Sequence, residues 1–144
     1  MGKIIEGISG QRIGFTTLNS SANNYAVALM NISPKTGNKK DLLKKIYATS
    51  VAGATPLKTA VRDVGLYYQC ANNNKFFSTG GSPGSANCPI PAAPLGTCQQ
   101  NDTVLITDGY YTDSISGIGN TDGDVNTLYD GRSFADAYSN TLAD

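Results

Sequence analysis

Apolar and polar positions change period several times along the chain, and each change marks an element. Residues 3–8 (KIIEGI) have the spacing of the last turns of an amphipathic helix, closed near Gly10. Residues 11–18 (QRIGFTTL) and 25–32 (YAVALMNI) read as two strands joined by the polar loop NSSANN. SPKTGN, residues 33–38, is a turn. Over residues 39–48 the helical period returns. Leu42, Leu43, Ile46 and Tyr47 share one face, and Lys39, Lys40, Lys44 and Lys45 make a solvated face opposite. Thr55 is predicted to cap the next helix through its hydroxyl, with Pro56 in the first helical position, where no N–H is needed. Leu57, Ala60, Val61, Val64 and Tyr68 then repeat at helical spacing, so this helix should run from Pro56 to near Tyr68.

The second half is more irregular. Residues 71–100 read as one long loop rich in Gly, Pro, Ser and Asn, an insertion of a length that calls for a function or a staple. Thr103 to Ile106 form a short apolar strand running into Thr107-Asp108-Gly109, of the kind found at the centre of a parallel sheet. Residues 110–132 are irregular again. Residues 133–144 are predicted to form a helix, with Ser133 and Asp136 spaced as a capping box and Phe134, Tyr138, Thr141 and Leu142 on one face. Alternating strands and helices predict an α/β domain with a largely parallel sheet. Such sheets bind ligands at the carboxyl ends of their strands. Asp108 follows such an end, and Thr55 lies on a loop entering a helix.

Composition narrows the chemistry. The 144 residues contain no histidine, which removes Ser-His-Asp triads, Cys-His pairs and H-E-x-x-H zinc sites built within the chain. There is no G-x-x-x-x-G-K-[ST] phosphate loop. Formal net charge is zero, so no general attraction to nucleic acid or anionic membrane is implied. The charge is unevenly spread: residues 1–75 hold ten Lys/Arg and three Asp/Glu, whereas residues 76–144 hold one Arg and eight Asp. The longest apolar stretch, Tyr25 to Ile32, is far short of the ~20 residues of a spanning helix. No signal peptide is visible, so an exported protein would carry its signal outside this chain.

The three cysteines, Cys70, Cys88 and Cys98, include no C-x-x-C pair, so neither a zinc knuckle nor a thioredoxin-type site is suggested. A disulfide stapling the long loop fits an exported protein. Three pairings are open; Cys88 with Cys98 would close the loop itself, and the odd count leaves one thiol over.

The strings GATPLKTAVRDVGLYY, CQQNDTVLITDGYYT, GNTDGD and FADAYSNTLAD resemble the von Willebrand factor A-like domain of the PilY1 family, tip-associated adhesins and biogenesis factors of type IV pili. The resemblance runs from about Gln11 to Asp144. The TPL and TDG pieces mark the broad A-domain class; CQQN with TDGYY and SNTLAD point to the pilus family. It implies a Rossmann-like, doubly wound, mostly parallel sheet with flanking helices, here incomplete, with the 71–100 loop inserted.

The resemblance also implies a metal-ion-dependent adhesion site for Mg²⁺ or Mn²⁺. Thr55 matches the threonine of the family's second ligand loop, and Asp108 matches the aspartate of its T-D-G loop. Such hard cations take six oxygen ligands, and an open position lets a partner's carboxylate complete the shell. The first ligand motif, D-x-S-x-S, is absent from this chain. The expectation is therefore a piece of a longer protein, truncated at both ends. Asn120, Asp122 and Asp124 alternate as Ca²⁺ ligands do, although the glycine and terminal glutamate of an EF-hand are missing. Tyr110 and Tyr111 are candidate partner contacts beside the site.

Implied partners are pilin or minor pilins and a host or abiotic surface ligand, with an extracellular location at the cell surface or pilus tip. The competing reading is a structural or mechanical pilus component without a working metal site. An enzyme is not expected, because two potential ligands without a general base other than carboxylates make a poor catalytic site. A sheet lacking its central strand would expose unpaired edges, so self-association of the isolated chain is expected.

Overall fold

A computed structural model describes residues 2–50, 53–107, 113, 115, 116, 128, 129, 132 and 133. Its elements are α1 (Gly2–Gly7), β1 (Arg12–Phe15), β2 (Tyr25–Leu29), α2 (Gly37–Tyr47), α3 (Leu57–Tyr68), β3 (Leu128–Tyr129) and β4 (Arg132–Ser133). Strands β1 and β2 form an antiparallel hairpin, and β3 pairs antiparallel with β4.

The register of the first hairpin explains its packing. Ile13 pairs with Ala28 and Phe15 with Tyr25, so β2 carries one more residue than β1 between these pairs. Side chains alternate along a regular strand, so Tyr25 and Ala28 would point to opposite faces without this bulge. With it, Tyr25 and Ala28 join Ile13 and Phe15 against one core. Gly14 sits opposite the extra residue, and a Cβ there would come within 3.0 Å of the Val27 side chain and 3.1 Å of the Tyr25 carbonyl. The hairpin continues past the strands through Met30 N–H to Gln11 carbonyl (2.8 Å) and Gly10 N–H to Met30 carbonyl (3.2 Å).

Ile5 of α1, Met30, and Leu42 and Leu43 of α2 form the buried centre of this core, with Ile46 at its margin. The predicted apolar face of α2 is thus correct at Leu42, Leu43 and Ile46. Tyr47 is instead 63% exposed, and its hydroxyl donates to Glu6 Oε1 (3.2 Å).

One lysine leaves the expected solvated face. Lys39 is only 1% exposed, and its Nζ donates to the carbonyls of Glu6 (3.1 Å) and Ile32 (2.9 Å). The long aliphatic stem can be buried when the ammonium finds acceptors. Here those acceptors are main-chain carbonyls, one of them in the last turn of α1, and Lys39 ties α1 to the turn before α2. Asn38 Nδ2 adds a bond to the Leu29 carbonyl (3.0 Å).

Helix α3 begins at Leu57, one residue later than predicted, and ends at Tyr68 as expected. Leu57, Ala60 and Tyr67 are buried, whereas Val61 is 37% exposed. Its inward face is rotated from the expected stripe because Tyr67, not Tyr68, is the anchor. The Tyr67 hydroxyl accepts the Val27 N–H (3.2 Å), occupying a donor on the outer edge of β2. Its ring lies 4.4 Å from that of Phe76, centroid to centroid. Burial raises the Tyr67 phenol above its ordinary pKa, and the Val27 N–H opposes that shift.

Residues 101–107 form no strand, which corrects the expectation of a central strand at Thr103 to Ile106. Val104 is 83% exposed and Ile106 62%. A local run of apolar residues favours extended backbone but does not provide neighbours to pair with. Among the described residues, β1 and β2 pair with each other, and Tyr67 covers part of the outer edge of β2. Ser133, predicted to cap the last helix, lies in β4; the helix expected over 134–144 lies outside the described residues. Among the described residues no helix is long and apolar enough to cross a membrane.

Candidate functional site

The loop entering α3 carries Thr55, the expected metal ligand within the described residues. Gly53 turns this loop at a positive φ of 91°, a conformation that favours glycine. Asn19 lies against Gly53, and its Nδ2 donates to the Ala54 carbonyl (3.1 Å), tying the loop to the β1–β2 connection. Thr55 is half-buried. Its carbonyl accepts the Leu57 N–H (2.9 Å).

The predicted hydroxyl cap is not made. The capping position falls on Pro56 (φ −78°, ψ 67°), with no side-chain hydrogen bond. Proline has no side-chain acceptor, and the open amides of the first turn are satisfied from far along the chain. Asp113 accepts the Lys58 N–H on Oδ1 (3.2 Å) and the Thr59 N–H on Oδ2 (2.7 Å). The Thr59 hydroxyl also bonds this carboxylate. Burial acts to raise the Asp113 pKa, but the Thr59 and Lys58 bonds outweigh it and hold the carboxyl below its ordinary value. A carboxylate at this position also meets the positive end of the helix dipole.

Asp113 was legible only as one acid in an irregular stretch, since nothing local in its sequence marks it as the cap of a helix 54 residues earlier. The Thr55 hydroxyl has no hydrogen-bond partner among the described residues. The described residues do not by themselves fit a divalent cation. Thr55 offers one neutral oxygen, and the carboxylate of Asp113 is already engaged by helix amides. Among the described residues there is no group of three or more His, Cys, Asp or Glu able to hold a metal. Asp108, Asn120, Asp122, Asp124, Tyr110 and Tyr111 lie outside the described residues.

The cysteines resolve into one pair. Cys70 and Cys88 are joined, with Cα atoms 4.8 Å apart, and Cys98 is free and exposed. This corrects the Cys88–Cys98 staple considered from the sequence. Cys70 follows the end of α3 at a φ of 56°, so the disulfide anchors the loop to a helix terminus. Within the loop, Asn74 Oδ1 accepts the N–H groups of Phe76 (2.9 Å) and Phe77 (2.8 Å), a side-chain turn that presents both rings to Tyr67. Lys75 reaches back from this turn to the Leu18 carbonyl (3.0 Å), and its own carbonyl accepts from Asn24 Nδ2 (2.7 Å). Burial lowers the Lys75 pKa, with Asp63 opposing. The stapled loop therefore packs on the C-terminal part of α3 and on the β1–β2 connection, which in turn holds the Thr55 loop through Asn19.

No family model matches the chain, and no solved structure matches it. Over an alignment of 101 positions that covers 66% of the chain, it is 32% identical to the type IV pilus biogenesis factor PilY1 of Pseudomonas aeruginosa strain PAK. The chain spans only 8% of that relative's length, so what it shares with this pilus factor is one small region of a much larger protein.

Proposed function

We propose that this chain is part of an exported, non-enzymatic binding module associated with type IV pili, with a von Willebrand factor A-like fold. The observation that carries this reading is the 32% identity over 101 residues to a pilus biogenesis factor. The Cys70–Cys88 disulfide supports an oxidising location outside the cytoplasm. In this reading the module engages pilin or minor pilins and a host or abiotic surface ligand.

Thr55 and Asp108 would contribute to a Mg²⁺ or Mn²⁺ adhesion site, completed by a D-x-S-x-S motif elsewhere in the intact protein. The hydroxyl of Thr55, which has no hydrogen-bond partner among the described residues and lies on a loop tied to Asn19, supports its part in this assignment. Bound there, the cation would offer an open coordination position to a partner's carboxylate. Asn120, Asp122 and Asp124 are assigned to a second, Ca²⁺ site, and Tyr110 and Tyr111 to partner contact.

Adhesion by bacteria carrying the intact protein tests the metal-dependent part. Chelation, Thr55→Ala and Asp108→Ala should each reduce adhesion, and both variants should melt at the temperature of metal-free wild type. Undiminished adhesion in all three would overturn the metal site. A structural role in the pilus is the second reading. It is favoured by the disulfide, which resists extension of the loop, and by the commitment of Asp113 to capping.

A further inference from the structure

We propose that the exposed side of α2 is a docking surface for an acidic peptide segment of a partner protein. This is independent of the metal-site reading. An open basin of about 670 Å³ lies beside α1 and α2, lined by Lys35, Lys40, Lys44, Leu43, Tyr47 and Glu6 among others. Lys40 and Lys44 are four residues apart on α2 and share a face. Lys35 joins them from the preceding turn.

None of these three ammonium groups has a hydrogen bond or ion pair among the described residues. Lys39 differs: it is buried and bonded to two carbonyls. The one carboxylate in the basin, Glu6, accepts from the Tyr47 hydroxyl. The surface thus presents three cations against one carboxylate, a positive excess around an apolar floor of Leu43 and the exposed ring of Tyr47. Charge complementarity selects carboxylates, and the floor selects an apolar side chain between them.

The rest of the chain argues for a short peptide over a long polyanion. The chain's formal net charge is zero, so it has no general long-range attraction for an extended nucleic acid. A basin of this size holds a few side chains, not a duplex.

The test is fluorescence anisotropy of a labelled peptide of alternating Asp/Glu and Leu/Phe, titrated with the full chain. Saturable binding is expected, and raising NaCl from about 50 to about 500 mM should weaken it at least tenfold. Lys40→Glu with Lys44→Glu should weaken it at least tenfold at low salt. Lys3→Glu with Lys45→Glu makes the same change in net charge outside the basin and should leave affinity within about twofold. Circular dichroism melting establishes that both variants fold. Equal loss in both variants would overturn the proposal, because it would reduce the effect to net charge. So would no binding at low salt, or tighter binding of a single-stranded oligonucleotide than of the peptide.

Discussion

Asp113 accepts the amide of Thr59 at 2.7 Å across 54 residues of sequence, and so closes the first turn of α3 from a distant part of the chain. With its bond to the Lys58 amide, this contact ties Asp113 to the start of the helix that follows Thr55.

Removing this cap should cost stability. Asp113→Ala is expected to destabilise the chain by about 1 kcal/mol, the usual scale for losing a helix cap. Asp113→Asn, which retains an acceptor, should cost less. Urea unfolding checks both; an unchanged midpoint for Asp113→Ala would contradict the cap.

The same contact sets an acid dependence. The folded-state pKa of Asp113 is depressed by the Thr59 and Lys58 bonds, against the effect of burial. Its contribution is therefore fully present above the ordinary carboxylate range and is lost as the pH falls through that range to the lower, folded-state value. Wild type should lose stability relative to Asp113→Asn on acidification. Parallel melting curves from neutral to acidic pH provide the measurement, and a constant difference would contradict the assignment.

Lys39 is a structural tie. Lys39→Met keeps the apolar stem but leaves the Glu6 and Ile32 carbonyls without their donor, so about 1–3 kcal/mol of stability should be lost. Lys40→Met, one residue along on the exposed side, should change stability by less than about 0.5 kcal/mol. Equal effects in chemical denaturation would show that Lys39 is solvated after all.

Peptide mapping under non-reducing conditions should recover Cys70 linked to Cys88, with Cys98 alkylatable in the folded protein. Replacing the pair by serine should cost about 3 kcal/mol, the scale for a loop of this length. Cys98→Ser should be neutral. A Cys88–Cys98 peptide would contradict the observed pairing.

Local pattern made the first half of the chain legible. The strand-forming runs at Arg12–Phe15 and Tyr25–Leu29 and the helical periods of α2 and α3 depend on residues near in sequence. What escaped depends on distant partners. A lysine run does not reveal which ammonium finds carbonyls, so Lys39 was grouped with Lys40 and Lys44. The hairpin bulge, which turns Tyr25 and Ala28 to one face, is a property of pairing. Thr55 had a good local reason to cap α3, but the helix starts one residue later, with Pro56 at the capping position, and Asp113 supplies the bond from afar. Thr103 to Ile106 has strand composition without a described partner strand, and cysteine spacing alone left three pairings open.

The central claim is association with type IV pili, and the most direct measurement is to find where the protein resides. Pili sheared from the source bacterium, and from a mutant lacking the major pilin, should be probed with an antibody against this chain. The account predicts signal in the sheared pilus fraction of wild type and its loss from that fraction in the mutant. Protein confined to the cytoplasm, or absent from the pili of a piliated strain that produces it, would contradict the account.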